Sequence, residues 1–537
     1  MDALDVETSR AEGEQALQAL LQCASEHVGT LEAHEAEKGL FTRLMPLGLA
    51  AMKRYFAQRG TGDVGPAVTR ADGILLPREP KLRGRDYGSL FGKFTVARTC
   101  DRTPGEPGIF PLDAQVNLPT RCDSYCLQAW MTVFAVEHPG KERASWFEPR
   151  FALEVAESAG MAVAKEAPED DEACYGQRPL PSEDTEGALL VVSVDGQGVP
   201  MIQPEAAKLK ATLGTGEQRQ QKQEALVGVS YPVAPTPRSP DALAESLVEP
   251  AAVRARRPRE DVTDDAPSAQ QVRRLASLVR TTRAVMDLSK ADAEHRDPPH
   301  RQPVVVWLDG ARSLWSLATT LFKPWKRVTF VLDILHVVGD LWAAANTLFG
   351  EVSKAGKHWV QQQLTAMLRG RVGDVIGGLR PMLTKQRRRK SVQQTLTKVI
   401  TCFHNHRRWM PYDVYLAAGL PVGTGVVASA CGAVVKHRME GDGKRWSLHG
   451  AEAMLALRSL KKSHDNDLRT YWRFRAHQVS TRLYGRQPQY RPTARLRHVA
   501  SFDIKWSRSF PLHLQDLHDG LPPRYGLSSR RHVAAHR

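Results

Sequence analysis

Val304-Val305-Val306-Trp307-Leu308-Asp309-Gly310, followed by Phe330-Val331-Leu332-Asp333-Ile334-Leu335-His336, is the stretch that decides the fold. Two short apolar runs each end in an acid, and between them Leu314, Leu317 and Leu321 recur at helical spacing. Runs that are apolar throughout read as strands buried on both faces, the habit of parallel sheets. Such strands deliver the residues after them to the carboxyl edge of the sheet, where open α/β folds keep their chemistry. Asp309 and Asp333 are therefore candidate site residues, with His336 in the first helical turn after the second run.

Upstream, Ala188 to Gly196, Gly198 to Ile202 and Glu224 to Tyr231 predict three consecutive strands, with Asp195-Gly196 as the turn of the first hairpin. The segment 232–267, rich in Pro and charge, predicts a surface loop, and 268–290 (Val272, Leu275, Leu278, Val279, Val285) predicts a helix. After Asp333 a helix runs through Leu341 and Leu348. A helical stretch without strand signal then extends to about 412 and carries the basic run Lys385-Gln386-Arg387-Arg388-Arg389-Lys390. Beyond Gly423-Thr424-Gly425 another helix places Val427, Cys431, Val435 and Arg438 on one stripe.

That element order predicts an α/β fold: an RNase H-like mixed-sheet catalytic core with a helical insertion before its last helix. In it Asp195 ends the first strand and Asp309 ends the fourth, beside it. Two acids on adjacent strands can share divalent cations, and hard oxygen ligands select Mg²⁺ or Mn²⁺. Two such ions clamp the attacking and leaving oxygens of an in-line phosphoryl displacement. Taken singly, each acid has a plainer reading. Asp195-Gly196 suits a hairpin turn, Asp309-Gly310 a strand end or helix cap, Asp333 a cap, and His336 a packed histidine.

The flanks have a different texture. Residues 1–60 predict a helical region, and 80–165 a β-rich and helical DNA-binding module. Within that module Phe91-Gly92-Lys93-Phe94-Thr95-Val96-Ala97-Arg98 forms a strand, and Trp130, Val133, Phe134, Phe147, Phe151 and Val155 recur at helical spacing. Ser158-Ala159-Gly160-Met161 hints at a helix-turn-helix. Cys122 and Cys126 are spaced like metal ligands, but Cys100 is distant and no His completes a set. An acidic linker at 166–187 leads into the core, whose first part spans 186–349. A basic helical insertion (350–420), the last core helix and its successor (421–475), and a basic, partly disordered tail (476–537) come after it.

At 537 residues and 59.6 kDa, with 42% hydrophobic content, the chain has length for about three or four domains with real cores. No run approaches a membrane span, and Met1-Asp2-Ala3 does not open a signal peptide. Seven scattered cysteines suit a reducing cytoplasm. The net charge of +15, with a pI near 9.5, points to a polyanionic partner, nucleic acid by default.

Taken together, Phe91-Gly92 with Arg98, Phe110-Pro111-Leu112-Asp113, Val194-Asp195-Gly196, Trp307-Leu308-Asp309-Gly310, Asp333-Ile334-Leu335-His336, Gly423-Thr424-Gly425-Val426-Val427, Lys436-His437-Arg438-Met439, Arg445-Trp446-Ser447 and Leu457-Arg458-Ser459-Leu460 carry a resemblance. Over roughly 80–475 the chain resembles the ISKra-type bacterial insertion-sequence transposases, relatives of the Mutator-like group. The resemblance implies a DDE transposase that cleaves and joins DNA at terminal inverted repeats. Its partners are then double-stranded DNA, both repeats and target, and a second copy of the chain at least. Its place is the cytoplasm and nucleoid.

The resemblance assigns Asp195 to both metal ions and Asp309 to one. Asp333 and His336 become an Asp-x-x-His element near the cleavage point, with Asp333 the substitute for Asp309 if the alignment shifts. Expected DNA contacts are Arg387, Arg388, Arg389, Lys390, Lys436, Arg438, Arg445 and Trp446. The family's third acid, in Gly-x-Gly-x-x-Glu, falls on Ala428. Glu440 and Glu452 lie too far along to replace it. A cysteine that relatives pair with the equivalent of Cys100 is also missing. The expectation is a transposase weak or inactive in this copy, with a non-catalytic DNA-binding regulator or an RNase H-like nuclease as alternatives.

Overall fold

The computed structural model describes residues 3–26, 31–70, 73–105, 108–138, 159–165, 171–177, 189–206, 222–248, 269, 271–310, 312–351, 353–384, 389–423, 425–441, 443–463 and 467–484. At the N-terminal end, helices Val6–Glu26 and Ala33–Arg59 pack together, with Lys53 Nζ 2.9 Å from a Glu12 carboxylate oxygen. Two antiparallel hairpins come next: β1 (Ala67–Thr69) with β2 (Leu75–Pro77), and β3 (Arg83–Ser89) with β4 (Gly92–Arg98). Gly92, at φ +141°, makes the tight turn that seats Phe91 over Gly48, where no Cβ fits. Arg98 stacks on Phe110 at 4.0 Å and pairs with buried Asp113, which also takes Arg85 at 2.9 Å. Two of the sequence motifs thus converge on one charge cluster that holds this module together.

The central sheet has five strands in the order β7-β6-β5-β8-β9. They are β5 (Leu189–Pro200), β6 (Lys222–Val233), β7 (Arg273–Ser277), β8 (Val304–Leu308) and β9 (Val328–Leu332). β6 runs antiparallel to both β5 and β7, while β8 is parallel to β5 and β9 parallel to β8. Every residue of β8 is buried, as its unbroken apolar run requires of a central parallel strand.

Several expectations are corrected here. Asp195-Gly196 is not a hairpin turn: β5 continues through it, pairing Asp195 with Val227 and Gly196 with Leu226. The third strand is β7, inside the segment expected to be a helix, and the helix proper begins only at Thr282. Five residues with two arginines carry no alternating apolar pattern, so pairing with β6 decides the strand, not side-chain preference. Part of the expected loop folds as helix Pro240–Val248, and part of the expected linker as Asp171–Gly176, whose Tyr175 ring lies 3.6 Å beneath the Arg273 guanidinium. The expected tail begins inside helix Asp467–Tyr484. Residues 166–170, 178–187 and 249–267 of these segments, Phe147, Phe151, Val155, Ser158 and the chain beyond 484 lie outside the described residues.

Helix Thr282–Arg296 covers one face of the sheet, where Ser230 Oγ donates to the Asp292 carboxylate at 2.6 Å. After β9 the chain stays helical as expected: Ile334–Phe349, Lys354–Leu368, Val372–Thr384 and Lys390–His406. Gly425–Ala430 then begins a helix that widens into a π-helical turn at Cys431–Lys436 and ends at His437–Met439. A π-turn frees carbonyls from the regular ladder. Arg458, fully buried on helix Leu448–Lys462, takes two of them, Nε donating to Val434 O at 2.7 Å and an Nη to Ala433 O, while its other Nη donates to Val136 O of helix Tyr125–Glu137. All seven cysteines are free thiols. Among the described residues no helix is long and apolar enough to cross a membrane.

Glu137 ties helix Tyr125–Glu137 to Arg458, Lys461 and Lys462. Burial pushes its carboxyl up, but the three cations outweigh that and hold it near 2 against an ordinary 4.5. A lowered folded value means stability fully present above pH 4.5 and lost as pH falls through 2. Denaturant titrations of Glu137→Gln should therefore show a flatter fall in stability across that acid window than the parent chain. Arg458→Leu, which strands three carbonyls and leaves Glu137 to Lys461 and Lys462 alone, should cost about 3 kcal/mol or more at neutral pH by the same measurement.

Candidate functional site

Backbone register brings the three expected acids to one level. Ser193 pairs with Trp307, and Asp195 and Asp309 each follow two residues later. Leu308 pairs with Leu332, Asp309 and Asp333 each follow by one, and Asp333 N donates to Leu308 O at 3.1 Å. Asp309 and Asp333 thus follow the carboxyl ends of β8 and β9, while Asp195, expected to end its strand, stands level with them inside β5, which runs on to Pro200; neighbouring strands lie about 4.8 Å apart in a sheet. All three are half-buried, able to meet both protein and solvent.

Asp195 faces away from helix Thr282–Arg296, because side chains alternate along a strand. Val194, beside it, pairs with Gly228, which lies directly beneath Ser289 of that helix. Asp195 Oδ1 accepts from Gly196 N at 2.7 Å, and Oδ2 accepts from the Cys431 thiol at 3.6 Å. Burial, then the Asp195 charge, pushes that thiol up to about 12, so it stays a neutral donor.

The Cys431 helix is anchored at its other end too. Trp307 Nε1 donates to Pro421 O at 3.0 Å, and Ile334 N donates to Val422 O at 3.0 Å. The described residues 421–423 and 425–431 are therefore tied to the β8–β9 side at one end and to β5 at the other. Ala428 lies between these anchors, exposed and on the same helix face as Cys431 three residues on. Glu440 is engaged by Gln197 at 3.1 Å and Lys222 at 3.0 Å. Glu452 accepts from Ser277 Oγ at 2.5 Å and Leu278 N at 2.7 Å. Neither is available at the position of Ala428.

Around Asp309 and Asp333 the chain is more tightly built. Trp315 Nε1 donates to Asp309 O at 2.7 Å, and its ring stacks on Trp409 at 3.9 Å. Asp333 caps helix Ile334–Phe349, accepting from Leu335 N at 3.1 Å, so its plainer reading holds at least in part. Burial, then the Asp333 charge, drives Tyr231 and Tyr412 well above the ordinary phenol range. His336 Nε2 sits 3.7 Å from Asp340 Oδ2. Both lie beside Cys402, whose thiol is pushed up to about 12 by burial and then by Asp340, with Asp309 adding to it. Sequence reasoning missed Asp340 and Cys402. The i, i+4 spacing of His336 and Asp340 was the only signal available, and Cys402 is more than sixty residues away.

The expected DNA contacts separate by burial. Arg389, Lys390, Lys436 and Arg445 are exposed, and the Lys436 charge reaches the Cys431 thiol. Arg387 and Arg388 lie outside the described residues. Arg438 and Trp446 are interior and are corrected. The Arg438 guanidinium donates to Ala135 O and His138 O and faces the Trp446 ring at 5.0 Å, while the indole donates to Met439 O. Cys122 and Cys126 are exposed, and among the described residues no third ligand joins them.

Neither a family model nor a curated protein matches the chain. Among solved structures it is similar to the Drosophila P element transposase strand transfer complex, at 7% identity over 72% of this chain and 89% of that one. The TM-score is 0.24, too low for a common fold to be argued from it.

The Cys431–Asp195 contact is open to direct measurement. Alkylation mapped by peptide mass spectrometry should leave Cys431 slow to react through pH 9 while exposed Cys122 reacts. Asp195→Asn, by removing the adjacent negative charge, should lower the Cys431 pKa and speed its modification.

Proposed function

We propose that this chain is a DNA transposase of the DDE type, with an RNase H-like core, that keeps DNA binding but cleaves weakly. The observation that carries the reading is the level placement of Asp195, Asp309 and Asp333 across β5, β8 and β9, in a sheet whose first three strands are antiparallel and whose last two are parallel additions. It agrees with the resemblance to insertion-sequence transposases seen in the residues themselves.

The donors at Asp195 and Asp309 are all carboxylate oxygens, and the competing partner on Asp195 Oδ2 is a neutral thiol that an ion can displace. These two residues would hold one Mg²⁺ or Mn²⁺. In this reading a second ion has no protein carboxylate, since the third acid of the resembled family falls on Ala428. When bound, the metal supplies Lewis acidity and an acidified water for phosphodiester attack.

The chain's own groups do the rest. Gly196 N–H fixes one Asp195 oxygen, and the Asp333 cap fixes the start of the helix that carries His336. Lys436 and Arg445 near the last helix, with Arg389 and Lys390 on the insertion, offer charge to the DNA backbone. Joining two element ends calls for at least two copies. The same Ala428, with Cys431 holding Asp195, favours a second reading, a DNA-binding regulator without cleavage.

DNA carrying the sequences that flank the coding region provides the test. With Mn²⁺, the parent chain should bind this DNA with strong salt dependence and nick it little. Ala428→Glu should raise nicking about tenfold or more, ~1.4 kcal/mol of barrier, and Asp195→Asn or Asp309→Asn should abolish it in that background. Rapid nicking by the parent chain, unchanged by Ala428→Glu, would place the third acid elsewhere. Failure of every form to bind or nick would reject the reading.

A further inference from the structure

A second cluster of ligating side chains lies behind the aspartate edge and differs from it in chemistry. His336 and Asp340 are one turn apart on helix Ile334–Phe349, and Cys402 reaches them from helix Lys390–His406. One ligand atom from each falls within 4.8 Å of the other two. The His336 Nε2 to Asp340 Oδ2 separation of 3.7 Å is about 0.2 Å wider than the nitrogen–oxygen edge of a tetrahedral zinc site, about 3.3–3.5 Å for the usual bond lengths.

Two features of the surroundings favour an ion there. Gly310 closes the side toward the sheet, and a Cβ on it would come 2.9 Å from His336 Nε2 and 3.4 Å from Cys402 Sγ. The cradle therefore depends on the absence of a side chain at this position. His406, one turn beyond Cys402, contacts Cys402 O through Nδ1 at 2.7 Å and packs on Trp315 and Trp409, fixing the turn that carries the thiol. All three ligands are half-buried, shielded yet reachable from solvent.

From this geometry we infer that His336, Asp340 and Cys402 bind Zn²⁺, with water in the fourth position. One nitrogen, one oxygen and one sulfur donor form a borderline-soft set, suited to zinc and poorly suited to Mg²⁺. Binding replaces the Cys402 thiol proton, which passes to the buffer. Its effect is to pin helix Lys390–His406 of the basic insertion to helix Ile334–Phe349, which starts from the sheet edge at Asp333. The site is separate from the oxygen-only pair at Asp195 and Asp309 and stands whether or not the chain cleaves DNA.

Cobalt reports on such a site directly. The full chain, stripped with chelator, should take up one equivalent of Co²⁺ with a thiolate-to-cobalt charge-transfer absorption. Zn²⁺ should displace it, and excess Mg²⁺ should not. Cys402→Ser should lose that absorption, and His336→Ala should weaken Co²⁺ binding at least about tenfold. Asp195→Asn should leave it unchanged, which separates this site from the proposed cleavage site. His336 is 39% exposed, so its replacement keeps the test decisive if Cys402→Ser does not fold. Absence of the thiolate band in the parent chain overturns the inference. So does a band that survives Cys402→Ser, or binding unaffected by His336→Ala.

Discussion

Parallel pairing of β5 with β8 and of β8 with β9 in matched register is the constraint on which the rest of the site depends. The backbone ladder, not any side-chain contact, sets Asp195, Asp309 and Asp333 level. The apolar side chains then make that register costly to change. A one-residue slip in a strand turns every side chain to the opposite face. In β8 it would set Trp307, whose indole is committed to Pro421 O, against the wrong layer. It would also break the Asp333 N–H to Leu308 O bond that starts the next helix from the sheet edge.

The parts of this arrangement legible in the sequence are those that burial writes into composition. β8 shows as an apolar run because a central parallel strand has no solvent face, the end of β9 shows because its last two residues are buried, and the acids after both mark the edge. β7 was illegible because an edge strand carrying Arg273 and Arg274 is held by its neighbour's backbone and by buried partners such as Asp292. Asp195-Gly196 misled for a related reason. Its local chemistry is that of a turn, and only the long pairing with β6 keeps it extended. Arg438 and Trp446 look like surface ligands for phosphate and base, yet each spends its polar atoms on interior carbonyls. Residue type alone does not say which side of the surface a guanidinium lies on.

Electrostatics around Asp195 depend on the same helix. A carboxylate beside a neutral thiol, with Lys436 close enough for its charge to act there, differs from one facing another carboxylate. Among the described residues of that helix none is a carboxylate facing Asp195, which is favourable for the folded chain. Stability and the proposed two-ion chemistry therefore pull in opposite directions at this helix face, and the residues at 428 and 431 lie on the side of stability.

The π-helical turn at Cys431–Lys436 has a bearing on how the chain tolerates changes in length. A turn of this kind holds one residue more than the α-helix would, the mark that a single-residue insertion leaves. Arg458, by gathering the carbonyls of Ala433 and Val434, makes the surplus residue part of the packing. Gain or loss of one residue at this turn would rotate the downstream helical segment while leaving Ala428 and the helix start in place. The same change in β8 would move Asp309 off the level of its neighbours. Insertions and deletions over generations should thus accumulate on the helical layer and spare the sheet edge, so that related chains differ in helix phase before they differ in strand length.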